Sequence, residues 1–299
     1  MNDLWTLSPR YGELWAGDEL VCRFNPADSP DRGLYITANG VEGWDTLPDA
    51  KVALTERGQG DGAHDVSETD ILYSARTVTV HYEAVGYSRA DLLSLMRRIN
   101  TAAHRSCRLR MVDGDEDTYC EGYVAQMGRD SRWNPLLEND LTLHFVCPRP
   151  ERLSWDARRF QLVPAWDAGL GLSYGSAARG LAYPLSYGTA AVDARNVCTL
   201  VNNGSSRAYP VFTVQGPWPD GVQLNFPGLD MSLDYSQAVG SVPLVLDSRS
   251  RAASIGGLDV SRNLRQRGFP NVPPGGSVAV NLQSVGDGYV TVECRDTYM

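Results

Sequence analysis

Apolar and polar residues alternate with a period of two through most of this chain, and one stretch departs from that rhythm. Leu92, Leu95, Met96, Ile99 and Ala103 recur at steps of three and four, which predicts one amphipathic helix over 88–104 with these residues as its buried face. Ser88 is placed to cap its first turn, and Asp91 three residues later suits the free amides and the dipole. Arg97, Arg98, His104 and Arg105 put positive charge toward the C-terminal half, where the dipole favours it. A helix of this length is marginal alone in water, so the pattern implies docking onto a sheet. Strand patterns flank it: Arg76 to Ala84 before, where Val78, Val80 and Tyr82 alternate with Thr77, Thr79 and His81, and Arg108 to Val112 after.

The rest of the first half reads as strands and turns. LVCRF at 20–24 is a strand, and NPADSPDR at 25–32 is a turn cluster. GLYITANGVEGW at 33–44 predicts a hairpin turning at Asn39-Gly40. Residues 55–69, TERGQGDGAHDVSET, show no period and predict an exposed loop or arm, a length that usually serves a purpose. A long strand is expected to run from Ile71. CRLRMV and TYCEGYVAQM predict a hairpin around the acidic run 113–117, and LLENDLTLHFVC closes the first domain with Leu141, Leu143 and Phe145 inward. Cys147-Pro148-Arg149-Pro150 is a stiff exit, since proline fixes φ and removes a donor. We therefore expect a first domain at 1–150, a crossover at 151–190 and a second domain at 191–299.

The crossover carries two similar runs, GLSYG at 171–175 and PLSYG at 184–188, too few units for a solenoid. Beyond it come eight short strand patterns: NVCTLVNN, YPVFTVQG, VQLNF, MSLDYS, PLVLDS, AASIGG, SVAVNLQ and GYVTVEC. Turn residues separate them at about 8–15-residue spacing, the signature of an all-β sandwich. The fold class expected is mainly β, with one helix in the N-terminal half.

Composition narrows the function classes. A length of 299 residues fits two domains, and 42% hydrophobic with 21% charged content is ordinary for a globular protein. A net charge of −9 argues against coating nucleic acid, which needs a basic surface. No apolar run approaches a membrane span, and MNDLWTLSPRYGELW has neither the basic start nor the apolar core of a signal peptide. Cys22, Cys107, Cys120, Cys147, Cys198 and Cys294 form no CxxC pair, so free thiols from cytoplasmic synthesis are expected, with no metal site.

Motifs that would carry chemistry are few. Asp113 to Asp117 lacks the twelve-residue spacing of a calcium loop and reads as a solvated hairpin tip. Gly58, Gly60 and Gly62 lack the GK[ST] and the strand-to-helix setting of a phosphate loop. There is no GxSxG or Cys/His signature, so no catalytic residue and no cofactor are assigned. The 36 acidic residues leave a glycan hydrolase open as a class without singling out a pair. Trp166, Trp218 and Tyr235 are the candidates for a sugar-stacking platform, against the alternative that they pack in a core or interface.

An ordered set of motifs resembles one family. Asn202-Asn203-Gly204, Ala208 to Val214 and Gly216-Pro217, then Pro243-Leu244-Val245-Leu246-Asp247-Ser248-Arg249, then Pro273-Pro274-Gly275 and the ending Val290 to Tyr298, are similar to the C-terminal domain of siphophage distal tail proteins, also called phage minor tail proteins. The polar glycine-rich loop, the strand opening on Arg76 and the helix agree with their N-terminal domain. The resemblance implies a tail-tube-like β-barrel or sandwich with one flanking helix, and a galectin-like β-sandwich after it. It implies a non-enzymatic virion protein forming a ring, commonly hexameric, at the tail tip or baseplate. Its partners would be itself, the tail tube protein and the tail hub, with receptor-binding proteins or a host surface glycan beyond. DNA would only pass through the lumen, without membrane insertion, and assembly would take place in the host bacterial cytoplasm. On this reading Arg57, Gln59, Asp61, His64 and Asp65 belong to an arm reaching a neighbouring subunit. The alternative reading is a carbohydrate-binding adhesin module.

Overall fold

The computed structural model describes residues 10–26, 32–67, 70–129, 136–164 and 196–299. The chain divides into two compact units, Met1–Trp155 and Asp156–Tyr298.

Unit one contains β1 (Arg10–Ala16), β2 (Glu19–Phe24), β3 (Gly33–Glu42), β4 (Arg76–Val85), α1 (Arg89–Asn100), β5 (Cys107–Asp113), β6 (Glu116–Gly128), β7 (Leu137–Cys147) and β8 (Arg152–Ser154). Seven of them run in the order β6-β5-β1-β2-β3-β4-β7, and pairing of β6 with β7 closes the barrel, with β8 added beside β6. Alternation in the sequence becomes the barrel interior directly. In β4 and β7 the antiparallel register sets Val78 opposite Phe145, Val80 opposite Leu143 and Tyr82 opposite Leu141, all six with no exposed surface.

The helix starts where expected. Ser88 accepts from the Asp91 amide at 3.2 Å, and Leu92, Leu95, Met96 and Ile99 are buried. It ends sooner than the pattern suggested. The amides of Thr101, Ala102 and Ala103 bond carbonyls three residues back, and His104 takes a φ of 60°. That tightening exposes Ala103 and buries Ala102 in its place. The helix also has a defined task. β2 and β3 pair through Phe24 and Leu34, in parallel, and α1 packs against β2 beside this thin seam. Leu95 and Arg98 border Leu20, Val21, Cys22 and Leu34, and Arg98 donates to the Leu20 carbonyl at 3.3 Å.

Two expectations in this half are corrected. Residues 33–42 form one strand, not a hairpin. Its register against β4 jumps between Ile36↔Tyr82 and Val41↔Val80, so four residues bulge opposite one. Gly40 does adopt φ of 68°, but in that bulge, because β4 supplies the partner that a local hairpin would otherwise provide. The strand expected from Ile71 begins at Arg76, since 71–75 belong to the excursion that precedes β4.

Unit two contains β9 (Arg158–Leu162), β10 (Val197–Val201), β11 (Val211–Gln215), β12 (Val222–Phe226), β13 (Met231–Tyr235), β14 (Leu244–Asp247), β15 (Ala252–Ile255), β16 (Leu258–Asp259), β17 (Leu264–Arg267), β18 (Ser277–Leu282) and β19 (Tyr289–Cys294). They make two sheets, β10-β18-β12-β13-β17 and β16-β15-β14-β11-β19-β9, enclosing one core that includes Phe212 and Phe226 with ring centroids 5.7 Å apart. The two short strands β8 and β9 lie in the segment read as crossover. The repeated runs at 171–175 and 184–188 lie outside the described residues.

All six cysteines are buried and unpaired. Burial pushes Cys22 and Cys198 up to about 12 and Cys294 to about 11, so these thiols are held in the unreactive form. Among the described residues no helix is long and apolar enough to cross a membrane.

Candidate assembly interface

Between β3 and β4 the chain makes a long excursion, an arm built as two short ladders. At its base the Lys51 amide donates to the Leu72 carbonyl at 2.6 Å and the Ser74 amide to Asp49 at 2.9 Å. At its tip Arg57 and His64 donate their amides to the Gly62 and Thr55 carbonyls, at 3.0 and 2.9 Å. The Arg57 side chain locks this tip, donating to the Ala63 carbonyl at 2.9 Å and to the Asp65 carboxylate at 3.1 Å. Of the five residues expected to act together, Arg57, His64 and Asp65 thus close the tip, while Gln59 and Asp61 are exposed beyond it. What the polar reading of 55–69 missed is the apolar surface on either side. Leu54 is 66% exposed, Leu47 62% and Leu72 56%, with Ile71 beside it also bare. Four large apolar side chains exposed on one excursion make it the candidate for a covered surface.

The arm is rooted by Arg76. This is the inward position of β4 opposite Cys147, where the alternation calls for an apolar residue. Its buried guanidinium donates to the carbonyls of Gly43 (2.6 Å), Trp44 (2.8 Å) and Thr46 (2.7 Å) at the start of the excursion, and to Pro150 (2.7 Å) at the end of the unit. One charge-bearing fork therefore ties two chain segments to β4.

A second organised surface lies on the outward side of β1, β5 and β6. Glu13 is 1% exposed and accepts from Trp15 at 2.9 Å, Arg23 at 2.8 Å and Arg110 at 2.9 Å. Arg110 also grips Asp117 and stacks 4.2 Å over the Trp155 ring, against which Trp15 and Tyr119 pack. Burial pushes the Glu13 carboxyl up, but the bonds from Trp15, Arg23 and Arg110 outweigh it and hold the group below the ordinary range.

The other chemical candidates dissolve into structure. Asp113 and Asp117 flank the β5–β6 turn as partners of Arg10 and Arg110. Among the described residues no group of three or more His, Cys, Asp or Glu is placed to hold a metal. Trp218 and Tyr235 cannot form a sugar-stacking platform: they are 0% and 2% exposed inside the unit-two core, and the Trp218 indole donates to the Gln215 carbonyl at 2.9 Å. Apolar neighbours on both faces of the sandwich absorb these rings. Trp166 lies outside the described residues.

No protein-family model and no curated protein matches this sequence. Solved structures do. The Dit protein (gp 19.1) of phage SPP1, described as a paradigm of the hub adsorption apparatus in phages infecting Gram-positive hosts, aligns with a TM-score of 0.59 at 11% identity, over 96% of this chain and 99% of that one. The baseplate of phage P2 in its activated conformation with Ca aligns at 0.52 and 12% identity, over 96% and 98%. The same baseplate with Sr gives 0.52 and 12%, over 95% and 98%. Over nearly its whole length, therefore, this chain has the fold of phage Dit and baseplate proteins.

Proposed function

We propose that this chain is a structural protein of a long-tailed phage virion, a ring-forming distal tail protein that joins the tail tube to the hub and adsorption apparatus. The observation that carries the reading is the match to SPP1 Dit across both units and nearly all of both chains. A partial match would have reported a common barrel or sandwich, whereas this one includes both in order. In this reading unit one is the tail-tube-like ring former, with the arm 55–69 reaching a neighbouring copy. Unit two is a galectin-like sandwich carrying peripheral parts. The partners are further copies of the chain, most simply six, with the tail tube protein and the hub. A net charge of −9 suits a conduit that DNA crosses without binding. With Trp218 and Tyr235 buried, no observation favours the adhesin alternative.

The test is the mass of the full chain in solution at micromolar concentration, with particles imaged by negative stain. A discrete multiple of the 32.7 kDa chain, with ring-shaped particles, is the expected result. A monomer that forms no ring even when mixed with a tail tube protein would overturn the proposal.

A further inference from the structure

Strand β6 changes partner in mid-course. Its first half pairs with β5 as far as Cys107↔Gly122, and its second half pairs with β7 from Tyr123↔Val146 onward. Where β5 would continue, the chain instead arrives from the end of α1. Tyr123–Gly128 therefore has no strand on the side away from β7, among the described residues. The place of the missing strand is a groove of about 740 Å³, with Ala103, Tyr123, Ala125 and Pro148 as its apolar lining and Arg105 and Arg149 at its rim. Free sheet edges are templates for pairing, and soluble proteins keep them covered.

The arm supplies a matching element. Between its two ladders, residues 52–54 make no backbone hydrogen bond among the described residues, and Ala53 and Leu54 are exposed. The stretch Lys51–Thr55, KVALT, has no proline or glycine to bar a strand, and its Val52 and Thr55 are β-branched. The charges also agree: the arm tip has Glu56, Asp61 and Asp65 against Arg57, whereas the groove has Arg105 and Arg149 against Glu121. Each groove arginine already holds a carboxylate of its own copy, Glu19 and Glu151, but a guanidinium has five donors and can bridge two acids.

We propose that the 51–55 limb of one copy adds as a strand to the free edge of β6 in a neighbouring copy, with Leu54 seated in the groove and the acidic tip at its basic rim. Main-chain hydrogen bonds would supply affinity, and the groove and charges would set register. The contact is head-to-tail, with donor and acceptor on different surfaces, so repetition closes a ring or builds a helix. It rests on the ring reading above and identifies the acceptor surface.

The experiment mixes two full-length single variants, Ala53→Cys and Ala125→Cys, and treats them with a flexible bismaleimide. The six native thiols are buried, so labelling is confined to the new ones. A cross-linked pair that forms in the mixture and in neither variant alone is expected. In parallel, Ala125→Pro removes an edge donor at the β6 bulge, where β7 offers that residue no partner. It should abolish assembly while the circular dichroism spectrum is retained. If Ala125→Pro fails to fold, the cross-link alone decides. Rings that assemble without the cross-link would overturn this contact and leave the ring intact. A wild-type chain that never assembles would overturn both.

Discussion

At the scale of single residues, the barrel depends on charged side chains in places where water is absent. Glu13 shows how such a site is held: three donors surround a carboxylate that burial alone would neutralise. Its pKa in the folded chain lies below the ordinary value of 4.5, so the unfolded chain binds the proton more tightly. The stabilisation is therefore present above about pH 4.5 and is lost as pH falls through the folded value. Glu13→Gln should cost about 2–4 kcal/mol at pH 7, because Arg23 loses its carboxylate partner and Arg110 keeps only Asp117. The deficit relative to the wild type should shrink at pH 3. Urea denaturation of both proteins at the two pH values checks this; an unchanged gap would mean that packing, not the carboxylate, is what Glu13 contributes.

At the scale of elements, α1 matters through what it covers. The β2–β3 seam is the barrel's thinnest pairing, and Leu95 sits against its wall of Leu20, Val21 and Leu34. Leu95→Asp would replace a buried apolar side chain with a desolvated carboxylate, and the lost packing and the desolvation together exceed what a marginal fold tolerates, even with Arg98 one turn away. We expect no soluble folded protein, read by circular dichroism and thermal melting. A cooperative melt near the wild-type temperature would show that the seam holds without the helix. The bulge in β3 makes a related point. Asn39-Gly40 expresses its turn chemistry through the positive φ of Gly40, yet which element uses it depends on the neighbouring strand.

For the molecule as a whole, the arm is the place where folding and the proposed assembly can be tested apart. It contributes little to the barrel core and is rooted by Arg76 and the base ladder. Deleting 58–66 removes Gly62 and His64, the partners of Arg57 and Thr55 in the tip ladder, but no residue of the core. The shortened chain is expected to fold as a monomer with a wild-type spectrum and to form no rings, measured by light scattering. Normal rings would remove the arm from the assembly.

Much of this was legible in the chain itself, because period and burial are coupled locally. Strand alternation at Val78–Tyr82 and Leu141–Phe145, the stripe Leu92–Ile99 with its Ser88 cap, and the eight strand patterns of the second half need only residues adjacent in sequence. The order of weak motifs pointed to the same family whose fold the structure shares. The two-residue β16 is too short for a period to emerge, and β17, LRQR, has only Leu264 turned inward and so no alternation to read. Other features required the folded chain. That Arg76 binds four carbonyls, that Trp218 is enclosed, that β6 runs out of a partner at Gly122 and that Leu54 stays bare are all relations between residues distant in sequence. Local pattern specifies which side of an element is apolar; only the packing of elements determines which apolar sides are left over.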